Sequence, residues 1–315
     1  MNVVVTGASG FVGRELVALL SSRDDWHVVA AARRPDRSWP SRVRPAHLPD
    51  LADPAQQGHL EPLVAGADAV VHLAARTPGG DAGDEARVMA VNAHAVGRLA
   101  QTCVRGGVKR FVLVSSSRVC GAVTGARPID EVSPPAPDDA YARSKLAAEQ
   151  AVMASASARM SWSIVRPPLI YGPGMRGPLL QLARAIARGV PLPLGSIRTN
   201  RRDMVGVRNL CRFLELCLEH PKAANELFVV RDGEPTSTRG LIEAMAKALR
   251  RPARLVPVPA AALGLAARLA GRGAMMQRLL GDHRIEDAKA RRQLGWRPEV
   301  GMQFDLERMA HALAS

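Results

Sequence analysis

Val3-Val4-Val5-Thr6-Gly7-Ala8-Ser9-Gly10-Phe11-Val12-Gly13 is the stretch on which the reading of this chain turns. Three successive β-branched apolar residues make a strand buried on both faces. Gly7, Gly10 and Gly13 then carry the backbone into a helix running from Phe11 to about Leu20. The first N–H groups of that helix, with its positive dipole end, point at whatever sits over the glycines. The spacing is GxxGxxG, directly after a strand that opens the chain and directly before an amphipathic helix. In that context a glycine-rich turn binds the pyrophosphate of a dinucleotide, with the Phe11 and Val12 amides beside the glycines. A strand–helix turn that needs glycine on steric grounds alone is the competing reading.

Composition sets the frame around this motif. A chain of 315 residues suits one large domain with a smaller one. Its 47% hydrophobic and 23% charged content is that of a globular enzyme. Met1 leads straight into the first strand, leaving no room for a signal peptide, so the expected location is cytoplasmic. No apolar run is long enough to span a membrane; Val256 to Ala267 is short and meets Arg268. Cys103, Cys120, Cys211 and Cys217 form no CxxC pair and have no zinc-site spacing, so they read as reduced packing residues and no metal is expected. The formal charge is +14, but the basic residues are spread along the chain and aromatics make up only 3%. That is too few for base-stacking platforms, so nucleic acid is not the expected partner. A small anionic substrate uses positive charge equally well.

Further along, His27 to Ala32 forms a second strand. An acid about 20 residues past the glycines would hold a ribose 2′-hydroxyl and mark NAD. Arg33 and Arg34 stand there instead, and either can pair with a 2′-phosphate, which leans the cofactor toward NADP over NAD. A third strand ends near His47, and Asp50-Leu51 follow where they can flank an adenine. Ala69 to Leu73 is a fourth strand; Leu73, Ala74 and Ala75 at its end allow close approach of a ligand, with Thr77 beyond them on the substrate side. His72 reads as structural rather than as an acid or base. Asp84 to Arg105 reads as one long helix, its mid-helix Asn92 exposed or bonded to nearby backbone. Arg110 to Val114 is a fifth strand, followed by Ser115-Ser116-Ser117. Tyr141 opens the next helix and shares a face with Lys145, four residues on. Ile164 to Arg166 makes a sixth strand. Beyond Pro167-Pro168 the alternation loosens: a turn at Tyr171 to Gly174, a helix from Leu179 to Arg188, one more strand at Phe228 to Val230, and mainly helices after 236.

A Tyr and a Lys at that spacing beside a nicotinamide can do acid–base work on a carbinol or carbonyl. A free phenol, with pKa near 10, is about three units too high for a base at neutral pH, or about 4 kcal/mol. An adjacent ammonium, with the cofactor's positive ring, can stabilise the phenolate by that amount. Ser116 would hydrogen-bond the substrate oxygen as charge develops. Alone, Tyr141 and Lys145 would be a surface pair; with the glycine motif and the serines they read as catalytic.

These motifs resemble the extended short-chain dehydrogenase/reductases, in particular the NAD-dependent epimerase/dehydratase family. The resemblance runs nearly end to end: Thr6 to Gly13, His72 to Ala75, Val114 to Gly121, Tyr141 to Lys145, Arg166 to Gly174, Asn200 to Val205 and Leu294 to Pro298. It implies an α/β fold, with a Rossmann-type doubly wound parallel sheet over residues 1–168. A smaller, mainly helical substrate domain would follow over 169–315, with elements from about 203–235 returning to the sheet. It also implies roles. Gly7, Gly10 and Gly13 would hold the pyrophosphate, and Asp50 and Leu51 the adenine. Ser116 and Tyr141 would be catalytic, and Lys145 would hold the nicotinamide ribose. Arg202 matches an arginine that binds the substrate diphosphate in UDP-sugar enzymes, a pair with Asp203 being its other use. A homodimer through the Asp84–Arg105 and Tyr141 helices is implied as well.

The chain departs from the family at three places. Sugar-nucleotide dehydratases carry Asp-Glu where Ser117 and Arg118 stand, which removes the acid and base of water elimination. Leu169 replaces an Asn found in many UDP-hexose 4-epimerases, and Cys120 replaces a Tyr. The expected activity is that of a UDP-glucose 4-epimerase-like enzyme acting on a nucleotide sugar. An NADPH-dependent reductase of a 4-keto-sugar or other carbonyl is the alternative, and a non-catalytic dinucleotide sensor is a third reading.

Overall fold

The computed structural model describes residues 1–36, 39–77, 84–155, 159–271 and 273–314. Strand β1 (Asn2–Thr6) lies in the interior of a seven-stranded sheet and is followed by helix α1 (Phe11–Leu20). Next come β2 (His27–Ala32), β3 (Val43–His47), α2 (Leu60–Val64) and β4 (Ala69–His72). Helices α3 (Glu85–Met89) and α4 (Ala95–Arg105) are joined by a wider π-type turn, Ala90–His94. Strand β5 (Arg110–Val114), helix α5 (Ala140–Ala154) and strand β6 (Ser161–Arg166) complete the regular alternation.

Every neighbouring pair in the sheet is parallel, in the order β3-β2-β1-β4-β5-β6-β9, the last strand being β9 (Glu226–Val229). This is the Rossmann-type sheet. Chain order reverses at β1, so the C-terminal ends of β1 and β4 flank the crevice where such sheets bind ligands. Alternation along β1 explains why three valines are needed. Val3 and Val5 enter one core with Leu16, Phe213 and Trp296, while Val4 enters the opposite core with Leu99, Phe111 and Ile164.

Between β6 and β9 lie β7 (Leu169–Tyr171), α6 (Gly177–Ala187), β8 (Met204–Gly206) and α7 (Val207–Glu219). β7 and β8 pair in parallel as a separate two-stranded sheet. Tyr171 thus ends a strand, where the sequence suggests only a turn. Helix α7 packs against α1 under the main sheet. Helices α8 (Thr238–Ala248), α9 (Ala260–Leu269), α10 (Gly273–Leu280), α11 (Ala288–Leu294) and α12 (Met302–Ala314) follow. A third core joins Tyr171, Leu179, Met204, Ile242 and Leu306. Among the described residues no helix is long and apolar enough to cross a membrane. All four cysteines are unpaired, three of them buried.

Candidate active site

The glycine turn is built to approach a ligand closely. Gly7 sits at φ +72°, and a Cβ there would lie 2.8 Å from the Ala74 nitrogen at the end of β4. A Cβ on Gly13 would overlap the Gly7 and Ala8 carbonyls, so glycine is what lets α1 start against the turn. Gly10 caps α1 with no side-chain bond, and the first turn carries no acid. The amides of Phe11, Val12 and Gly13 are therefore left for an anion, which fits a dinucleotide pyrophosphate. A cleft of about 340 Å³ opens here, with Ser9, Gly10 and Arg14 on one side and Pro173, Gly174 and Arg176 on the other.

The remaining cofactor candidates divide. Arg33 and Arg34 are exposed just past β2, and neither is ion-paired among the described residues. Asp50 is half-spent: its carboxylate accepts from the Ala52 amide at 3.0 Å and from Arg87 at 3.4 Å. The Leu51 side chain is buried in the core beneath the sheet, so only its backbone is left for an adenine. Leu73, Ala74 and Ala75 are partly exposed beyond β4, and Thr77 is exposed. His72 is fully buried, with Nδ1 2.8 Å from the Thr6 hydroxyl, and its burial lowers its pKa to about 3.

Asn92 corrects the expectation of a locally bonded helical asparagine. It is fully buried in the π-type turn and bonds across to the β4 loop. Its amide accepts from the Arg76 amide at 2.7 Å and donates to the Arg76 carbonyl at 2.9 Å and to the Ser144 hydroxyl at 3.0 Å. It thereby ties the ligand-side loop to the helix that carries Tyr141. The break in regular helix that allows this has no signature in side-chain periodicity.

Ser116 and Lys145 both approach Tyr141 at the C-terminal end of β5. Ser116 caps a short 3₁₀ turn, accepting from the Arg118 amide at 3.2 Å. Lys145 is buried, donates to the Val114 carbonyl at 2.9 Å, and lies 6.0 Å from the Tyr141 ring centroid. Burial lowers the Lys145 pKa to about 8, against the opposing pull of Glu149. Burial pushes the Tyr141 hydroxyl up to about 12; Arg118 and Ser116 draw it down, and Asp139 adds to the rise. The sequence points to Lys145 as the cation that eases ionisation of Tyr141. The structure gives the larger effect to Arg118, whose guanidinium carbon is 5.8 Å from the ring centroid.

Beneath this group lies a buried network that the sequence pattern does not reveal. Glu149, one turn past Lys145, accepts two bonds from Arg166, at 2.9 and 2.6 Å, and one from the Ser115 hydroxyl. Arg166 also reaches the Cys120 sulfur at 3.3 Å. On the opposite side, the Ser117 hydroxyl is 2.7 Å from Nε2 of His283. Burial, with the charges of Arg202 and Arg118, lowers the His283 pKa to about 4. Arg202 is brought to this end of the site, and its guanidinium donates to the carbonyls of Arg278, in the last turn of α10, and Gly281, just past it. No Arg202–Asp203 pair forms. Asp203 instead accepts from the Ile285 amide at 2.8 Å and faces Arg231 at 3.4 Å. Tyr171, the other tyrosine, is fully buried and donates to Asp232; burial and that carboxylate hold it protonated. Among the described residues no group of three or more His, Cys, Asp or Glu side chains could hold a metal ion.

A glycine turn, a serine cap and a Tyr–Lys helix thus line the C-terminal end of a parallel sheet. The family model for the NAD-dependent epimerase/dehydratase family matches residues 3–230. The chain belongs to this family. Its members are NAD(P)-dependent enzymes, and solved structures of the fold include complexes with NAD and with NADPH. The chain is 33% identical over 317 residues to a UDP-glucose 4-epimerase of Vibrio cholerae, covering 99% of this chain and 95% of the relative. It is 32% identical over 319 residues to a GDP-6-deoxy-D-mannose reductase of Pseudomonas aeruginosa, covering 97% and 94%. A UDP-glucuronic acid 4-epimerase of Bacillus cereus, solved with NAD, shares the fold at TM-score 0.80 and 21% identity, covering 100% and 99% of the two chains.

Proposed function

We propose that this family member epimerises a UDP-hexose at C4, with Tyr141 as the base. The arrangement of Ser116, Tyr141 and Lys145 at the end of β5, beside the glycine turn, carries this reading. Bound NAD(P) supplies the hydride acceptor and donor. The chain's own residues do the rest. Ser116 hydrogen-bonds the hydroxyl at the reacting carbon and fixes its direction. Tyr141 takes that proton, and returns it once the sugar has turned its other face. Lys145, protonated below about pH 8, keeps one donor on Val114 and has two more for ribose hydroxyls. Gly7, Gly10, Phe11, Val12 and Gly13 would hold the pyrophosphate. Leu73 to Ala75 and Asp50 would line the cofactor, and Thr77 and Arg202 the sugar nucleotide. Ser117, bonded to His283, and Arg118, paired with Asp138 and Asp139, leave no acid–base pair for water elimination. Residues 169–315 would form most of the substrate-binding part, and two copies would pair through the α3–α4 and α5 helices.

One observation favours a second reading, an NADPH-dependent reductase of a 4-keto-sugar: exposed Arg33 and Arg34 stand where a 2′-phosphate would lie. An epimerase recycles its cofactor and has reason to keep it, whereas a reductase must exchange it. Cofactor released by denaturing freshly purified protein, and identified by mass spectrometry, separates the two. Near-stoichiometric NAD+ is expected. Protein that is empty and prefers NADPH in a binding titration would support the reductase instead.

A further inference from the structure

Where dehydratases carry a carboxylate, this chain puts a cation against its own base. Arg118 leaves the 3₁₀ turn that Ser116 caps and runs across the face of Tyr141. Its side chain is only 19% exposed, low for an arginine, and its Nε is buried with no hydrogen-bond partner among the described residues. Two adjacent carboxylates anchor the far end. One Arg118 nitrogen, Nη2, pairs with Asp138 at 3.3 Å and with Asp139. Asp139 also caps α5, the helix on which Tyr141 sits, because its other oxygen accepts from the Ala142 amide at 2.8 Å. The cation and the helix that carries the phenol are therefore anchored on one residue.

We propose that Arg118, held by Asp138 and Asp139, is a positioning residue that sets the pH at which Tyr141 releases its proton. The inference rests on Tyr141 being the base. The charged and titratable groups facing the phenol come from several elements. From the 3₁₀ turn come Arg118 and the Ser116 hydroxyl; from α5 come Asp139 and Lys145, with Glu149 one turn below. From α10 comes Arg278, 3.3 Å from Asp139 and 3.7 Å from Asp138. His283 lies behind Ser117 and stays neutral at any pH above about 4. The Arg143–Glu85 pair is on the outer face of α5. Burial opposes ionisation of Tyr141, and Lys145 spends part of its charge on a carbonyl and on Glu149. Arg118 is the cation placed to offset that burial. At about 6 Å and an effective dielectric near 20, a bare charge would shift ionisation by roughly two pH units; partial neutralisation by the two carboxylates leaves about one.

The chain's scarcity of tyrosine makes this measurable directly. Tyr171 is locked to Asp232, so the ultraviolet tyrosinate signal reports Tyr141, with Tyr141→Phe as the blank. The NAD+-loaded protein is titrated by pH jump, before alkaline unfolding begins. The midpoint is expected to rise by about one pH unit in Arg118→Met and to return most of the way in Arg118→Lys. It is expected to fall in Asp138→Asn, which unmasks the Arg118 charge without touching the α5 cap. The acid limb of kcat should move in the same directions, with KM changing less. An unchanged tyrosinate midpoint in Arg118→Met would overturn the proposal and leave Arg118 a strut. If Arg118→Met does not fold, Asp138→Asn decides alone: a downward shift supports the proposal and no shift overturns it. Failure of the base assignment is read separately, as turnover surviving in Tyr141→Phe.

Discussion

Tyr141 is held by groups with opposing effects. Burial disfavours its phenolate, while Arg118, Ser116 and Lys145 surround it with a cation, a hydroxyl and a second cation. Replacing Tyr141 by Phe would remove the proposed proton acceptor and leave the packing nearly intact. We expect kcat to fall by about 10²–10⁴-fold with KM little changed. Ser116→Ala should cost less on the same assay, because the proposed base Tyr141 would remain while the substrate oxygen would be held less firmly. Equal, modest losses in both variants would mean that neither acts in the chemical step. At this scale the sequence is only partly informative. The Tyr–Lys spacing shows that the two residues share a helix face. It cannot show that Lys145 turns to the Val114 carbonyl, or that Arg118 crosses the ring, because those contacts join segments 31 and 23 residues apart.

Local pattern carries most of the elements. β1, α1, β2 and β5 lie where valine-rich runs, glycines and helical periodicity put them. The helix expected from Asp84 to Arg105 is present but broken by a π-type turn, which exists to seat Asn92 against Arg76 and Ser144. Tyr171 reads as part of a turn because Gly172-Pro173-Gly174 follow it. Its strand is visible only with its partner β8, more than 30 residues further on. The glycine turn is the element with the sharpest mutational consequence. In Gly13→Ala the methyl would overlap the Gly7 carbonyl and lie 2.7 Å from the Ala8 oxygen. Such overpacking costs about 1–3 kcal/mol. It also pushes α1 away from the turn, so dinucleotide binding should weaken by more than the fall in melting temperature implies. Calorimetric melting and fluorescence titration with NADPH on one preparation check both parts. Undiminished cofactor binding in a folded Gly13→Ala protein would count against the turn as the pyrophosphate site.

Across the whole molecule, the parallel sheet and its two faces follow from the sequence; the attachment of the C-terminal half does not. Arg202, Ser117 and His283 come from three distant stretches and converge only because Arg202 bridges to both Thr236 and His283. The two buried histidines make stability depend on pH. His72 and His283 are neutral in the folded protein down to about pH 3 and about pH 4, while unfolded histidine protonates near pH 6.5. Below that point the unfolded chain binds more protons. The stability present above about pH 6.5 is therefore lost as pH falls toward the folded values. At pH 5 each histidine costs about 2 kcal/mol. Urea unfolding at pH 7 and pH 5 should show a loss of about 4 kcal/mol from the pair, roughly halved in His72→Gln. A loss at pH 5 as large in the variant as in the parent would show that His72 does not contribute.

The central claim, that hydride leaves and returns within one active site, is tested most directly with UDP-galactose and purified protein, no cofactor added, in D₂O. Proton NMR should show UDP-glucose accumulating to a stable ratio, with no deuterium at C4 and no conversion by Tyr141→Phe. An unchanged sugar nucleotide, together with oxidation of one NADPH for each 4-keto-sugar supplied, would contradict the epimerase and establish the one-way reductase.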